Sequence, residues 1–113
     1  MTGEKTQDLV ALWEVHLADG IHMIEFEHGT TSGRRVLRVD REVIVKRDWM
    51  FKLVGNESFH IGKSKALCSI KIEPIGGFAY EYSLEVIFAY EYNLEVIFAY
   101  EYSLEVKCAH EYN

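Results

Sequence analysis

The sequence predicts an all-β protein: an antiparallel β-sandwich or barrel-like sheet, with a repeated strand-forming segment at its C-terminal end. Three observations carry that expectation. Short apolar, β-branched and aromatic runs alternate with polar residues, the period of a strand with one buried face. Glycine, asparagine and aspartate punctuate these runs as turns. Finally, the stretch from Phe78 to Tyr112 is one ten-residue unit written three times and then half again, and an even period preserves strand parity.

The elements follow in order. Leu9 to Leu17 is a strand with Leu9, Ala11, Trp13, Val15 and Leu17 on one face. "ADG" (18–20) is a turn in which Gly20 can adopt positive φ. Ile21 to Glu27 forms the second strand, with Ile24 and Phe26 inward and Glu25 and Glu27 sharing the outward face. "HGTTSG" (28–33) reads as a polar loop. "RRVLRVD" (34–40) is a third strand, partly exposed because of its arginines, and "EVIVKRD" (42–48) follows a short turn at Asp40-Arg41. Trp49 to Val54 is too short to classify. Beyond the Gly55-Asn56 turn, Phe59 and Ile61 point the same way. "ALCSIKIEP" (66–74) alternates most clearly, with Ala66, Cys68, Ile70 and Ile72 inward, and Pro74 with Gly76-Gly77 ends it. No helix is expected before residue 78.

Geometry decides the state of the repeat. Read as a strand, Phe78, Tyr80, Tyr82, Leu84 and Val86 share a face, and Ala79, Glu81, Ser83 and Glu85 lie opposite. Read as a helix, ten residues fall roughly 80° short of three turns, so the apolar stripe would slip with every copy. A single strand over the whole run would span about 115 Å, several times the usual length, so the run must bend, pair with other chains or stay partly disordered. Its copies differ by Ser to Asn, Ile to Lys, Phe to Cys and Tyr to His, each reachable by one base change. Tandem duplication of a thirty-base segment accounts for this better than selection of a solenoid, whose units are usually 20 residues or longer. The expected division is residues 8–86 as a β domain and 87–113 as a β-prone tail.

Charge is unevenly spread. Residues 1–77 hold 11 Lys/Arg and 11 Asp/Glu; residues 78–113 hold seven Glu and one Lys, so the net charge of −6 sits in the repeat. An acidic tail disfavours nucleic acid and anionic membrane. No apolar run approaches 18 residues, "MTGEKTQDLV" is too polar for a signal peptide, and a cytoplasmic location is expected.

The chemistry-bearing residues form no reaction centre in the sequence. His16, His22 and His28 are six apart, which is not helical metal-site spacing, and all five histidines are expected at the surface or at strand edges. "HGTTSG" lacks the nucleophile-elbow and phosphate-loop patterns. Cys68 reads as a small core residue and Cys108, which replaces a repeat phenylalanine, as an exposed thiol. No catalytic, cofactor or metal residues are assigned, and the expectation is a protein that is not an enzyme. The best interaction candidates are Arg34, Arg35, Arg38, Arg41, Lys46 and Arg47, a cationic strip suited to an acidic protein partner, or else a solvated edge protected by charge.

"IEFEHGTTSGRRVLRVD" (24–40), "WMFKLVGNESF" (49–59) and "GFAYEYSLEV" (77–86) closely resemble, in order, the amino-terminal domain of the Fas apoptotic inhibitory molecule family. The resemblance covers residues 8 to 86. It implies a β-sandwich, a cytosolic non-enzymatic interaction protein, resistance to Fas-triggered cell death, and links to neurite outgrowth signalling and protection against aggregation. Implied partners are proteins of death-receptor signalling or misfolded clients. The family continues from this strand into a glycine-containing turn and a second domain, whereas this sequence repeats the strand. Activity that needs the second domain is expected to be impaired in such a truncated form. An alternative drawn from the repeat itself is a self-assembling β protein.

Overall fold

The computed structural model describes residues 8–77 and 79–89 in full, and residues 95–101 and 105–107 as backbone. Among the described residues the chain forms strands and no helix: β1 (Leu9–Leu17), β2 (Gly20–His28), β3 (Arg35–Val39), β4 (Glu42–Arg47), β5 (Gly55–Ile61), β6 (Ala66–Gly76), β7 (Ala79–Phe88), β8 (Glu95–Glu101) and β9 (Glu105–Lys107). They build two sheets, ordered β4-β3-β2-β1-β8 and β5-β6-β7-β9. Every neighbouring pair is antiparallel except β7 with β9.

The two inner faces make one core. β1 contributes Ala11, Trp13, Val15 and Leu17, β2 contributes Ile24 and Phe26, and β3 contributes Leu37. Facing them are Phe59 and Ile61 of β5, Ala66, Cys68, Ile70 and Ile72 of β6, and Tyr82, Leu84 and Val86 of β7. Strand alternation alone places these side chains inward. Leu9 is only half-buried, because a register shift between Leu9 and Ala11 interrupts the pattern.

Hairpins set the order within each sheet. Asp40 and Arg41 join β3 to β4 with φ of 52° and 74°. Positive φ at both central residues of a two-residue turn is the geometry whose twist matches the strands, here made without glycine. Asp40 compensates by accepting the Met23 backbone N–H at 2.9 Å and contacting His22 Nδ1 at 2.8 Å. Asp19, in the β1–β2 turn, accepts the Lys63 backbone N–H at 2.9 Å and so ties one end of the first sheet to the β5–β6 turn of the second.

Three local expectations are corrected. Gly55-Asn56 is not a turn but opens β5, paired opposite Ile72 and Lys71. β6 does not stop at Pro74 but runs on to Gly76. The pairing of β5 with β6 ends at Gly55 opposite Ile72, so Pro74, which lacks an N–H, has an open side there. His28 is not a surface residue: it ends β2 at 3% exposure. It packs edge-on to Tyr80 and Tyr82, and its Nδ1 shares a 2.6 Å hydrogen bond with the Tyr82 hydroxyl across the two sheets. Burial first, then the nearby Arg35 charge, holds its pKa down to about 4, with Leu53 and Asp8 acting weakly the other way. The expectations for Cys108 and His110 lie outside the described residues. No helix among the described residues is long and apolar enough to cross a membrane.

Candidate interaction surface

Of the six basic residues singled out in the sequence, five fall in β3, β4 and their hairpin and Arg34 immediately precedes β3, but the structure divides them among three settings. Arg35 lies between the sheets at 2% exposure. Its Nη1 donates to Glu57 Oε2 at 2.9 Å, and Nη2 donates to the Val54 carbonyl at 2.8 Å and the Lys52 carbonyl at 3.4 Å. Arg47 completes the cluster: Nε donates to Glu57 Oε2 at 2.7 Å and Nη2 to Oε1 at 3.0 Å, a two-point grip. Burial alone would push the Glu57 carboxyl up. The hydrogen bonds and charges of Arg47 and Arg35 outweigh it and hold the group below its ordinary value.

Arg34 and Arg38 share a different carboxylate. Arg34 Nη1 donates to Glu27 Oε1 at 2.8 Å, and Arg38 Nη1 donates to Glu27 Oε2. Glu27 stands on the outward face of β2, as alternation requires, yet is only 4% exposed. Its carboxyl too is held low: burial opposes ionisation, and the bonds from Arg38 and Arg34 overcome that. Arg41 is exposed at the hairpin, and Lys46 is exposed with Asp48 at 3.8 Å. The structure therefore brings Arg34 and Arg38 together, brings Arg35 and Arg47 together, and leaves Arg41 and Lys46 facing solvent.

The segment after β4 carries what the sequence reading left unassigned. Trp49 is 64% exposed and Phe51 86% exposed, with ring centroids 6.1 Å apart and planes tilted by 46°. Burying such side chains in a core would be the ordinary outcome, so two of them side by side in solvent mark this face. They are held out by backbone anchors on either side. Met50 donates its N–H to the Ser32 carbonyl at 3.0 Å. Gly33, at φ 77°, makes that approach feasible, since a Cβ there would lie 2.4 Å from the Met50 carbonyl oxygen. On the other side Arg35 grips the Lys52 and Val54 carbonyls. Lys46, Arg47 and Lys52 flank the aromatic pair in sequence, and β4 adds Val43 and Ile44, both more than two-fifths exposed.

A comparison with known protein families places residues 9–89, β1 through β7, in register with the model of the Fas apoptotic inhibitory molecule (FAIM1). The chain belongs to the Fas apoptotic inhibitory molecule family. It is 58% identical over 83 residues to bovine (Bos taurus) Fas apoptotic inhibitory molecule 1, covering 74% of this chain and 41% of that one. The rat (Rattus norvegicus) protein is 59% identical over 83 residues with the same coverage, and the human (Homo sapiens) protein 58% over 79 residues, 70% of this chain and 44% of that one. The chain thus spans about two-fifths of the length of these relatives. The relatives are named as inhibitors of apoptosis.

Both shared carboxylates could have been suspected from composition, because 11 basic residues in the body meet 11 acidic ones, but which pairs with which depends on cross-sheet packing. The aromatic pair left no periodic trace, since Trp49 and Phe51 sit in a segment with neither strand nor helix period.

Proposed function

We propose that this chain is a non-enzymatic protein-interaction domain of the apoptosis-inhibiting type, working in the cytoplasm on an acidic protein of Fas death-receptor signalling. The observation that carries the reading is the solvent-facing Trp49–Phe51 pair, pinned by Gly33 and Arg35 and flanked by Lys46, Arg47 and Lys52. Exposed aromatic side chains on a loop anchored to a rigid sheet supply large contact area at low entropic cost, and a basic surround steers an acidic partner. In this reading Arg41, Lys46 and the exposed part of Arg47 meet the partner, Arg34 and Arg38 border it, and Arg35 acts from inside by holding the loop.

The test is expression of the full chain in cells challenged through Fas, beside W49S/F51S and beside the remote variant E73Q. The reading expects protection from the wild type and E73Q and loss of it in W49S/F51S, with both variants equally folded by circular dichroism. Equal protection by all three would refute the surface. Protection only against aggregation of an unfolded client, with no effect on Fas-triggered death, would move the function to misfolded proteins.

A further inference from the structure

Three turns meet at one end of the sandwich, and a single imidazole ring lies among them. They are Ala18–Asp19 between β1 and β2, Asp40–Arg41 between β3 and β4, and residues 62–65 between β5 and β6. His22, near the start of β2, reaches two of them directly. Its Nε2 lies 2.7 Å from Asp19 Oδ1, and its Nδ1 lies 2.8 Å from Asp40 Oδ2. The third turn is joined through Asp19, whose Oδ2 accepts the Lys63 backbone N–H at 2.9 Å. Asp40 uses its Oδ1 in the same way, for the Met23 backbone N–H at 2.9 Å.

A carboxylate only accepts hydrogen bonds, so both ring nitrogens must donate, and that requires the imidazolium form. A neutral ring has one N–H and would turn a lone pair toward one of the two carboxylates. The neighbouring elements leave this charge balance to the two aspartates. On β1 the residue opposite His22 is Val15, and Glu14 and His16 lie on the other face, paired with each other at 3.1 Å. On β3 the nearest paired residue is Val39, opposite Ile24, and Arg41 beyond it is exposed. The β5–β6 turn approaches through the Lys63 amide, while its Lys63 and Lys65 residues are exposed. Burial lowers the pKa of His22, but the hydrogen bonds and charges of Asp19 and Asp40 together outweigh it and leave the group raised above 6.5.

We propose that His22 is a pH-operated clasp, which holds the β3–β4 hairpin against the β1–β2 turn when protonated and releases Asp40 when it gives a proton to solvent. Asp40 is the partner that leaves, for two reasons. Its side chain is 48% exposed against 19% for Asp19, which the Lys63 amide also holds from the other sheet. Asp40 and Arg41 also stand at φ of 52° and 74°, a region that side-chain-bearing residues seldom occupy, so the hairpin relaxes on release. The neutral ring keeps its proton on Nε2, facing Asp19, and Asp40 turns to water. The Met23 N–H then loses its carboxylate, while the Asp40 N–H keeps the Met23 carbonyl at 2.9 Å, so the hairpin loosens without unpairing. This inference is independent of what the Trp49–Phe51 surface binds.

The test is an NMR titration of the 15N-labelled full chain from about pH 5.5 to 8.5, reading the His22 ring nitrogens and the Met23 and Lys63 amides. The expected ring midpoint is above 6.5, with the Met23 amide proton moving upfield at that same midpoint and the Lys63 amide nearly still. H22Q, which donates to one carboxylate only, should hold Met23 at its high-pH position throughout. D40N keeps an acceptor but loses the charge, and should lower the ring midpoint by about half a unit. A Met23 amide that does not follow the ring overturns the proposal. So does a Lys63 amide that follows in its place, or a midpoint unmoved by D40N.

Discussion

Replacing Glu57 with glutamine tests whether the buried ion cluster is what fastens β3 and β4 to the opposite sheet. Glu57 accepts three hydrogen bonds of 2.7 to 3.0 Å from two guanidinium groups, and its side chain is 5% exposed. Breaking a buried pair by removing one charge costs about 3–5 kcal/mol, because the partner is left uncompensated. Arg47 softens the loss, since its side chain is 46% exposed and can turn to water. Arg35, at 3%, cannot, although it keeps its bonds to the Val54 and Lys52 carbonyls. The low end applies, about 3 kcal/mol, which for a domain of this size lowers Tm by roughly 12–24 °C.

The assay is urea unfolding followed by the fluorescence of Trp13, which is fully buried, in a Trp49→Phe background that removes the exposed indole. The companion R35M/R47M/E57L replaces the whole cluster with apolar side chains and is expected to cost far less than Glu57→Gln alone, because no charge is then stranded. A loss below about 1 kcal/mol for Glu57→Gln, within the range of a surface pair, would refute the reasoning. So would a triple variant as unstable as the single one.

Four further outcomes follow from the same structure. His28 stays neutral in the fold down to about pH 4, while in the unfolded chain it takes a proton near 6.5, so stability is expected to fall by roughly 3 kcal/mol as pH drops through that window. His28→Phe should abolish most of that slope in unfolding measured from pH 7 to 4. His22 has the opposite sign: burial lowers its pKa, but Asp19 and Asp40 raise it overall, so its contribution is present below 6.5 and is lost as pH rises through its folded value. Gly33→Ala forces a Cβ against the Met50 carbonyl at positive φ, and should cost about 2 kcal/mol or more by urea unfolding while loosening the Trp49–Phe51 segment. Burial pushes the Cys68 thiol up to about 12, so it should resist a maleimide in the native state and react at the rate of global unfolding.

Period-2 alternation made the sandwich legible. Trp13, Val15, Ile24, Phe26, Ile70 and Ile72 are inward where the pattern put them, because a strand leaves each side chain only two directions. Glu27 stands on its expected outward face and His28 ends its strand, yet both are buried, for one shared reason. Alternation tells which face a residue is on but not what covers that face, and polar residues are buried when a particular partner awaits them. For His28 that partner is Tyr82, on a strand of the other sheet; for Glu27 it is Arg34 and Arg38, seven and eleven residues on. The basic strip was legible as composition, but its division between Glu27, Glu57 and solvent required the fold.

The repeat shows where such a code stops specifying one answer. Parity survives a shift of ten residues, so the pattern that assigns Tyr82, Leu84 and Val86 to the core assigns Tyr102, Leu104 and Val106 equally well. In an ordinary sandwich, each strand's place is distinguished by side chains that fit nowhere else, which is how register is fixed against its neighbours. Here the key recurs with the strand: AYEYSLEV stands at 79–86 and again at 99–106. What separates the copies among the described residues is the strand each one meets: Ala79–Phe88 of the first lies along β6, whereas Phe98, Tyr100 and Glu101 of the third lie along β1. Parity tells which face a repeated side chain takes, and only the pairing of the strands tells which neighbour it takes it against.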